Sequence, residues 1–382
     1  MFLLQALGSN GSGQLGLGHK EDVSTPQPVL FPPCLITPNP HPKLRSIAAG
    51  GNHTLLLFSS PNTLLSSGDH TTGACGSTPT AAGAASEDNT SEPPPQFRPV
   101  DLTALPDCFQ IKHVAATWTA SIIVTSSHSS QTSDTCDKVY SFGTGSKGEL
   151  GLGHVTLGTV EPTQIPNFPP PGTRIVDIAA CMGHVVTVLS NGEAWGWGAG
   201  RKGQLGEPAA AAAAYSPRRI EGVGFHVVKA VCGREFTCLF GPPETGQMRV
   251  LGSDKWGVRS RAPGAVAVAG WKEVGAGWGS VFVLKGDGSL LSWGRDDHGQ
   301  LARDELGRVE RIAVGSEHAL ALTEAGDLVV WGWGEHGNCG PIQKLDGEKG
   351  ERNKIASTEH GIKITKIGAG CATTWFAIDK KT

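Results

Sequence analysis

The chain has 382 residues, a formal net charge of −3, 53 glycines, and ten tryptophans against two tyrosines. That length exceeds one small domain and fits either two ordinary domains or one domain built from repeats, while the near-neutral charge argues against a general nucleic-acid binder. Nine cysteines with no Cys-x-x-Cys pair, no apolar run of membrane-spanning length, and an apolar start at Met1–Leu4 soon broken by Gln5 predict a soluble intracellular protein with reduced thiols, cytoplasmic and nuclear.

Two patterns alternate along the chain. One is a strand that ends in an aromatic-Gly or apolar-Gly step and runs into a polar, Gly-rich loop. The other is a turn of small residues that enters an apolar strand. The first opens the chain as "LGSNGSGQLGLG" from Leu7, and residues 32–42 follow as a loop. Then come "IAAGGNHTLLL" from Ile47, "SSGDHTTGACG" from Ser66 and a low-complexity stretch, 77–98, expected to be a disordered insertion. "VAATWTASIIV" from Val114 precedes 126–137, expected to be a surface loop of the same kind, and "SFGTGSKGELGLG" from Ser141. "IAACMGHVVTV" from Ile178 leads to "WGWGAGRKGQLG" from Trp195 and to 207–217, an alanine run with helical propensity bracketed by Pro208 and Pro217. "AVCGREFTCLF" from Ala230, "VLGSDKWGVRS" from Val250, "VGAGWGSVFVL" from Val274 and "SWGRDDHGQLAR" from Ser292 follow. The chain ends with "IAVGSEHALAL" from Ile312, "WGWGEHGNCG" from Trp331, a loop at 343–360 and "IGAGCATTWFA" from Ile367.

Each pattern occurs seven times, with the second and fifth loops degenerate. The unit predicts a few short strands that cannot bury their own faces, and seven such units arranged radially can. The predicted fold is therefore all-β: a seven-bladed β-propeller forming one domain over 1–382. The chain opens with a strand of the first kind and closes with one of the second, so the two ends are expected to complete one blade together.

The loop carrying Glu335, His336 and Cys339 is one copy of a repeated turn, and its glycines and polar residues suit turn geometry. His53, His184 and His318 share one turn position, which Ala120, Phe236, Ser280 and Thr373 fill elsewhere. Equivalent positions on different blades point to different sectors, so these histidines are expected to bond neighbouring backbone and staple blades. The alternative is a metal cluster of Glu317, His318, His336, Cys339 and Cys371, but His336-x-x-Cys339 has no second pair to match it. No metal, cofactor or catalytic group is expected on this chain, since no nucleophile elbow, phosphate loop or HExxH is present. Trp195, Trp197, Trp293, Trp331 and Trp333 are expected to pack between blades, and Trp375 in the core. Trp118 and Trp278 stand in short turns, where a large ring should reach one face of the disc and serve binding.

The Gly-x-x-His turn leading into an apolar strand and the "GSGQLGLG" type of loop resemble the regulator of chromosome condensation family of seven-bladed propellers, across essentially the whole chain. "GSNGSGQLGLGHKEDVSTPQ", "GSEHALAL", "WGWGEHGNCGP" and "GAGCATTWFAI" look like one branch of it, the fungal killer-toxin-insensitivity or alpha-tubulin-suppressor proteins. That resemblance implies a non-enzymatic partner of a small CSL-type zinc-ribbon electron carrier, with zinc or iron on the partner. It also implies a role in Elongator-dependent tRNA wobble-uridine modification and diphthamide synthesis, in indirect association with Elongator and without direct nucleic-acid or membrane contact. The expected partner-binding set is Asn52, His53, Trp118, Thr119, Trp278, Glu317, His318, Glu335, His336 and Ala372. The competing reading is guanine nucleotide exchange on a small Ran-like GTPase, as for the family's founding member. The absence of a basic N-terminal tail weighs against it.

Overall fold

Short runs of β-branched and aromatic residues, punctuated by glycine, fold into antiparallel strands in the computed structural model. It describes residues 2–32, 42–76, 94–106, 109–128, 135–207, 212–341, 353–358 and 362–380. β1 (Phe2–Gly8) and β2 (Val23–Pro28) come first. Blade 1 is β3 (Lys43–Ala49), β4 (His53–Ser60), β5 (Asn62–Gly68) and β6 (Arg98–Pro99); blade 2 is β7 (Phe109–Ala116), β8 (Ala120–His128), β9 (Thr135–Thr144) and β10 (Gly158–Gln164). Blade 3 is β11 (Ile175–Cys181), β12 (His184–Leu189), β13 (Ala194–Ala199) and β14 (Ala213–Arg219). Blade 4 has β15 (Lys229–Cys232), β16 (Phe236–Phe240) and β17 (Met248–Gly252), and blade 5 has β18 (Trp271–Ala276), β19 (Ser280–Lys285) and β20 (Leu290–Gly294). Blade 6 is β21 (Val309–Val314), β22 (His318–Thr323), β23 (Asp327–Gly332) and β24 (Asn353–Ser357). β25 (Ile362–Ala369) and β26 (Thr373–Lys380) join β1 and β2 as blade 7.

The first strands touch in ring order, β3, β7, β11, β15, β18, β21, β25 and back to β3. They wall a central channel. The second strands are covered on both faces by neighbouring blades, so every residue of β12, β16 and β22 is buried. That double burial is why they read as apolar runs rather than as strict alternation. β1 pairs with β26 without a break, from Phe2 opposite Asp379 to Gly8 opposite Thr373. The expected closure by both chain ends is what the fold uses, and it leaves no gap between the first and last blades.

Repeat chemistry joins blades. The indole Nε1 of Trp197, Trp293 and Trp331 donates to the Glu149, Val258 and Gln300 carbonyls of the preceding blade's loop, each at 2.9 Å. Trp375 is fully buried. His53, His184 and His318 do staple blades, through side-chain hydroxyls of the next blade: Ser121 at 2.9 Å, Thr237 at 3.0 Å and Thr374 at 2.9 Å.

Three expected loops are partly strand. Segment 126–137 holds the ends of β8 and β9, and its Asp137 is buried, accepting from the Ile175 amide at 2.7 Å and from Lys112 at 2.8 Å. The alanine run continues as outer strand β14, which tolerates Pro217 because an edge strand needs no amide there. Asn353–Ser357 forms β24 inside the 343–360 loop. In each case pairing with an existing strand outweighs local composition. The disordered reading of 77–98 fails at its end, where Phe97 is fully buried and Arg98 pairs with Ser66 in β6; 77–93 and the remaining stretches of these loops (33–41, 129–134, 208–211, 342–352, 359–361) lie outside the described residues.

Candidate functional site

The turns between first and second strands and the loops after third strands lie on one face. Backbone geometry ties them together. The residue after the last glycine of each third strand, or of β1 in blade 7, donates its amide to the turn of the same blade: Asp69 to Asn52, Thr144 to Thr119, Ala199 to Gly183, Ser253 to Glu235, Arg295 to Gly279, Trp333 to Glu317 and Ser9 to Ala372, at 2.6–2.9 Å. Within four loops, a buried Gln or Glu accepts the amide two residues before it: Gln14 from Ser12, Glu149 from Lys147, Gln204 from Lys202 and Gln300 from His298. This is the physical content of the Gly-Gln-Leu signature. Its leucines Leu15, Leu150 and Leu205 are buried beneath.

Turn-to-turn amide bonds rim the channel: Gly51 to Trp118, Trp118 to Met182, Arg234 to Trp278, Trp278 to Ser316 and Ser316 to Gly370. The channel beneath has a volume of about 250 Å³ and is walled largely by small residues such as Ala48, Ala116, Ala180, Gly277 and Gly315. Cys181, Cys232 and Cys371 also face it. Burial pushes the Cys181 thiol up to about 12 and raises Cys232 and Cys371 as well, so these thiols are protonated and poor nucleophiles or ligands.

Over the mouth, Trp118 and Trp278 approach to 6.1 Å between ring centroids, tilted by 42°. They come from blades 2 and 5, on opposite sides of the channel. Trp118 is 36% exposed, and the Arg234 guanidinium sits 5.3 Å from the Trp278 ring. A second aromatic cluster lies beside it on blades 4 to 6. Arg295 lies 4.8 Å from the Trp256 ring and 5.9 Å from Trp333, and His298 stacks on Trp333 at 4.4 Å. Trp256 (39%) and Trp333 (36%) are both exposed. Arg295 also pairs with Asp297 at 2.7 Å and with the buried Glu317, whose other oxygen accepts from Gln300 at 3.0 Å. The hydrogen bonds from Arg295 hold the Asp297 carboxyl down to about 2.

Of the expected partner-binding residues, Trp118, Thr119, Trp278, Asn52, Ala372, Glu335 and His336 reach this face with at least part of their surface accessible. His53 and His318 are buried between blades and present no surface, and Glu317 is buried beneath Arg295 as a positioning group. His336 is bonded to Asp22 at 2.9 Å. The metal cluster considered for blades 6 and 7 does not assemble: His318 is held by Thr374, His336 by Asp22, and Cys371 faces the channel. Among the described residues no three His, Cys, Asp or Glu side chains are placed to hold a metal ion. Trp333 was expected between blades and instead lies on the face, because it falls one residue beyond the end of β23. Trp256, Arg234, Arg295 and His298 were not singled out from sequence. Trp256 could have been, since it too is a large ring in a short turn, there with φ of 70°.

The RCC1-like domain model matches residues 4–376. The chain is 29% identical to an RCC1 repeat-containing protein of Schizosaccharomyces pombe over 99% of both chains. It is 27% identical to the secretion-regulating guanine nucleotide exchange factor of Mus musculus, over 88% of this chain and 75% of that one. The crystal structure of Prp20p from Saccharomyces cerevisiae, described together with its binding to Gsp1p and histones, covers 100% of this chain and 92% of its own with a TM-score of 0.72. At 20% identity that likeness speaks for the fold alone.

Proposed function

The chain belongs to the RCC1-like domain family, and on that premise we propose that it is a non-enzymatic binding propeller whose partner docks on the tryptophan-bearing face. The observation that carries this reading is the pairing of Trp118 with Trp278 over the channel mouth, flanked by Arg234 and by the Trp256–Arg295–Trp333 cluster. Trp and Arg dominate binding hot spots because they bury large areas and keep a polar handle. The partner in this proposal is a small CSL-type zinc-ribbon protein that carries the metal itself. The heterodimer would support Elongator-dependent wobble-uridine modification and diphthamide synthesis. Support for that partner comes from the branch motifs "GSEHALAL", "WGWGEHGNCGP" and "GAGCATTWFAI". Titration calorimetry with the zinc-loaded partner tests it: sub-micromolar binding, weakened by at least about 2 kcal/mol in Trp118→Ala or Trp278→Ala, is expected. No binding by folded wild-type protein would sink this assignment.

A second reading is guanine nucleotide exchange on a small GTPase. It is favoured by the name of the mouse relative. Accelerated nucleotide release from a Ran-like GTPase on adding this protein would establish it in place of the first.

A further inference from the structure

Away from the tryptophan face, the inner strands wall a second hollow of about 460 Å³. Its residues on β18, β21 and β25 lie about five positions earlier than Trp278, Ser316 and Cys371, hence roughly 16 Å along the strands. Lys229, Lys272, Arg311 and Lys366 line it with a single carboxylate, Glu273.

Most of these charges have a partner. Lys229 is paired with Asp177 at 2.6 Å. Lys272 donates to the Glu310 carbonyl at 2.8 Å. Arg311 reaches the Thr365 carbonyl at 3.3 Å and lies 3.8 Å from the Glu310 carboxylate. Glu273 accepts from the Ile312 amide at 2.9 Å. Lys366 differs: its ammonium, only partly exposed, makes no hydrogen bond or ion pair among the described residues. Burial first, then the Arg311 guanidinium, lower its pKa; the Glu273 carboxylate opposes them, and Arg45 acts with them. Four lining cations stand against Glu273; the pairing carboxylates Asp177 and Glu310, outside the lining, leave one positive charge over, and Arg45, which acts on Lys366 from outside the lining, adds a second. The local surplus is two positive charges in a chain whose net charge is −3. The one carboxylate acting on Lys366, Glu273, accepts from the Ile312 amide and forms no ion pair with it, and a half-buried ammonium without a close counter-ion is unfavourable unless a ligand supplies one.

We propose that this hollow is an anion site for a phosphoryl dianion, with Lys366 and Arg311 as direct ligands and Glu273 as the group limiting affinity. A dianion matches the surplus of two charges, and the guanidinium fork of Arg311 suits tetrahedral phosphoryl oxygens. The phosphoryl group could be free or borne by a nucleotide, since both present the same oxygens to the same cations.

Calorimetric titration of the full-length protein at low ionic strength, with inorganic phosphate and separately with adenosine triphosphate, tests this. One-to-one saturable binding of at least one of them is expected, falling steeply with salt. Lys366→Met should weaken it at least about tenfold, Glu273→Gln should tighten it, and Trp118→Ala, at the other mouth, should leave it unchanged. Tighter binding of the nucleotide than of phosphate would make the ligand nucleotide-borne; equal affinities would make it the free ion. Absence of saturable binding by the wild-type protein overturns the proposal. So does binding that neither Lys366→Met nor Glu273→Gln alters. Glu273→Gln retains an acceptor for the Ile312 amide, so it reports even if Lys366→Met folds poorly. Because the site lies apart from the tryptophan face, its failure leaves the docking reading untouched.

Discussion

His318 Nε2 lies 2.9 Å from Thr374 Oγ1 on the next blade, while that hydroxyl donates to the Asn338 carbonyl at 2.8 Å. The hydroxyl's one proton is thus committed, so His318 must be the donor from Nε2. Its Nδ1 has no side-chain bond partner. The same logic holds at blade 1, where Ser121 receives from His53 and donates to Ala74 at 2.7 Å. At another junction the pair is apolar instead: Phe236 and Val281 share one core cluster. Histidine therefore meets a hydroxyl and an aromatic meets an aliphatic, a pairing rule that satisfies the imidazole Nε2 and the hydroxyl between blades.

The buried histidines make stability acid-sensitive. Burial, the largest cause, lowers His53, His184 and His318 from 6.5 to about 4. Their folded pKa is depressed, so the unfolded chain binds more protons between these values. The stability they contribute is full above about pH 6.5 and is lost as pH falls toward 4. Each accounts for on the order of 2–3 kcal/mol across that window. Urea unfolding between pH 7 and 4.5 should show a falling free energy, and His318→Gln should flatten that slope. An unchanged slope in the variant would contradict the neutral, donor-only assignment.

Gly50 and Gly315 exist for close approach. A Cβ at either would stand 2.3 Å from Cε1 of His53 or His318, and 2.4–2.6 Å from the Thr117 or Gly370 carbonyl of the next blade. The ring cannot retreat because its Nε2 is bonded. Gly50→Ala and Gly315→Ala are expected to cost about 1–3 kcal/mol each by denaturant unfolding. Adding His53→Ala to Gly50→Ala should recover only part of the loss, since the carbonyl clash remains.

Arg295 organises one side of the face through Asp297, Glu317 and two tryptophans. Arg295→Ala leaves Glu317 buried with only Gln300 to bond it, at an expected cost of about 1–3 kcal/mol. Arg295→Lys should not restore the loss, because an ammonium can neither fork onto Asp297 nor stack between rings. A double-mutant cycle with Glu317→Gln, read by thermal unfolding, measures the coupling. Additive effects would show that the pair contributes nothing.

Ring closure rests on blade 7, where Trp375 is fully buried among residues from both chain ends, including Leu4 and Leu7. Trp375→Ala is expected to lower stability by about 3–5 kcal/mol in equilibrium unfolding. Trp118→Ala, at an exposed position, should cost far less stability while removing partner affinity. Equal losses in the two variants would argue against closure as the critical joint.

The sequence by itself determined the seven-fold repeat, the propeller, its closure by both termini, and the burial of Trp197, Trp331 and Trp375, because each rests on local spacing. Alternation, turn glycines and the Gly-Gln-Leu loop are read within one unit. Tertiary structure decided what depends on neighbours. Strand pairing drew β14, β24 and the ends of β8 and β9 out of stretches whose composition reads as loop. Radial geometry sent His53 and His318 inward to hydroxyls 68 and 56 residues away. The same geometry brought Trp118 to Trp278, and gathered Trp256, Arg295 and Trp333 from three blades into one cluster. No local pattern encodes those meetings, since residues on separate blades become neighbours only when the ring fixes the angle between them.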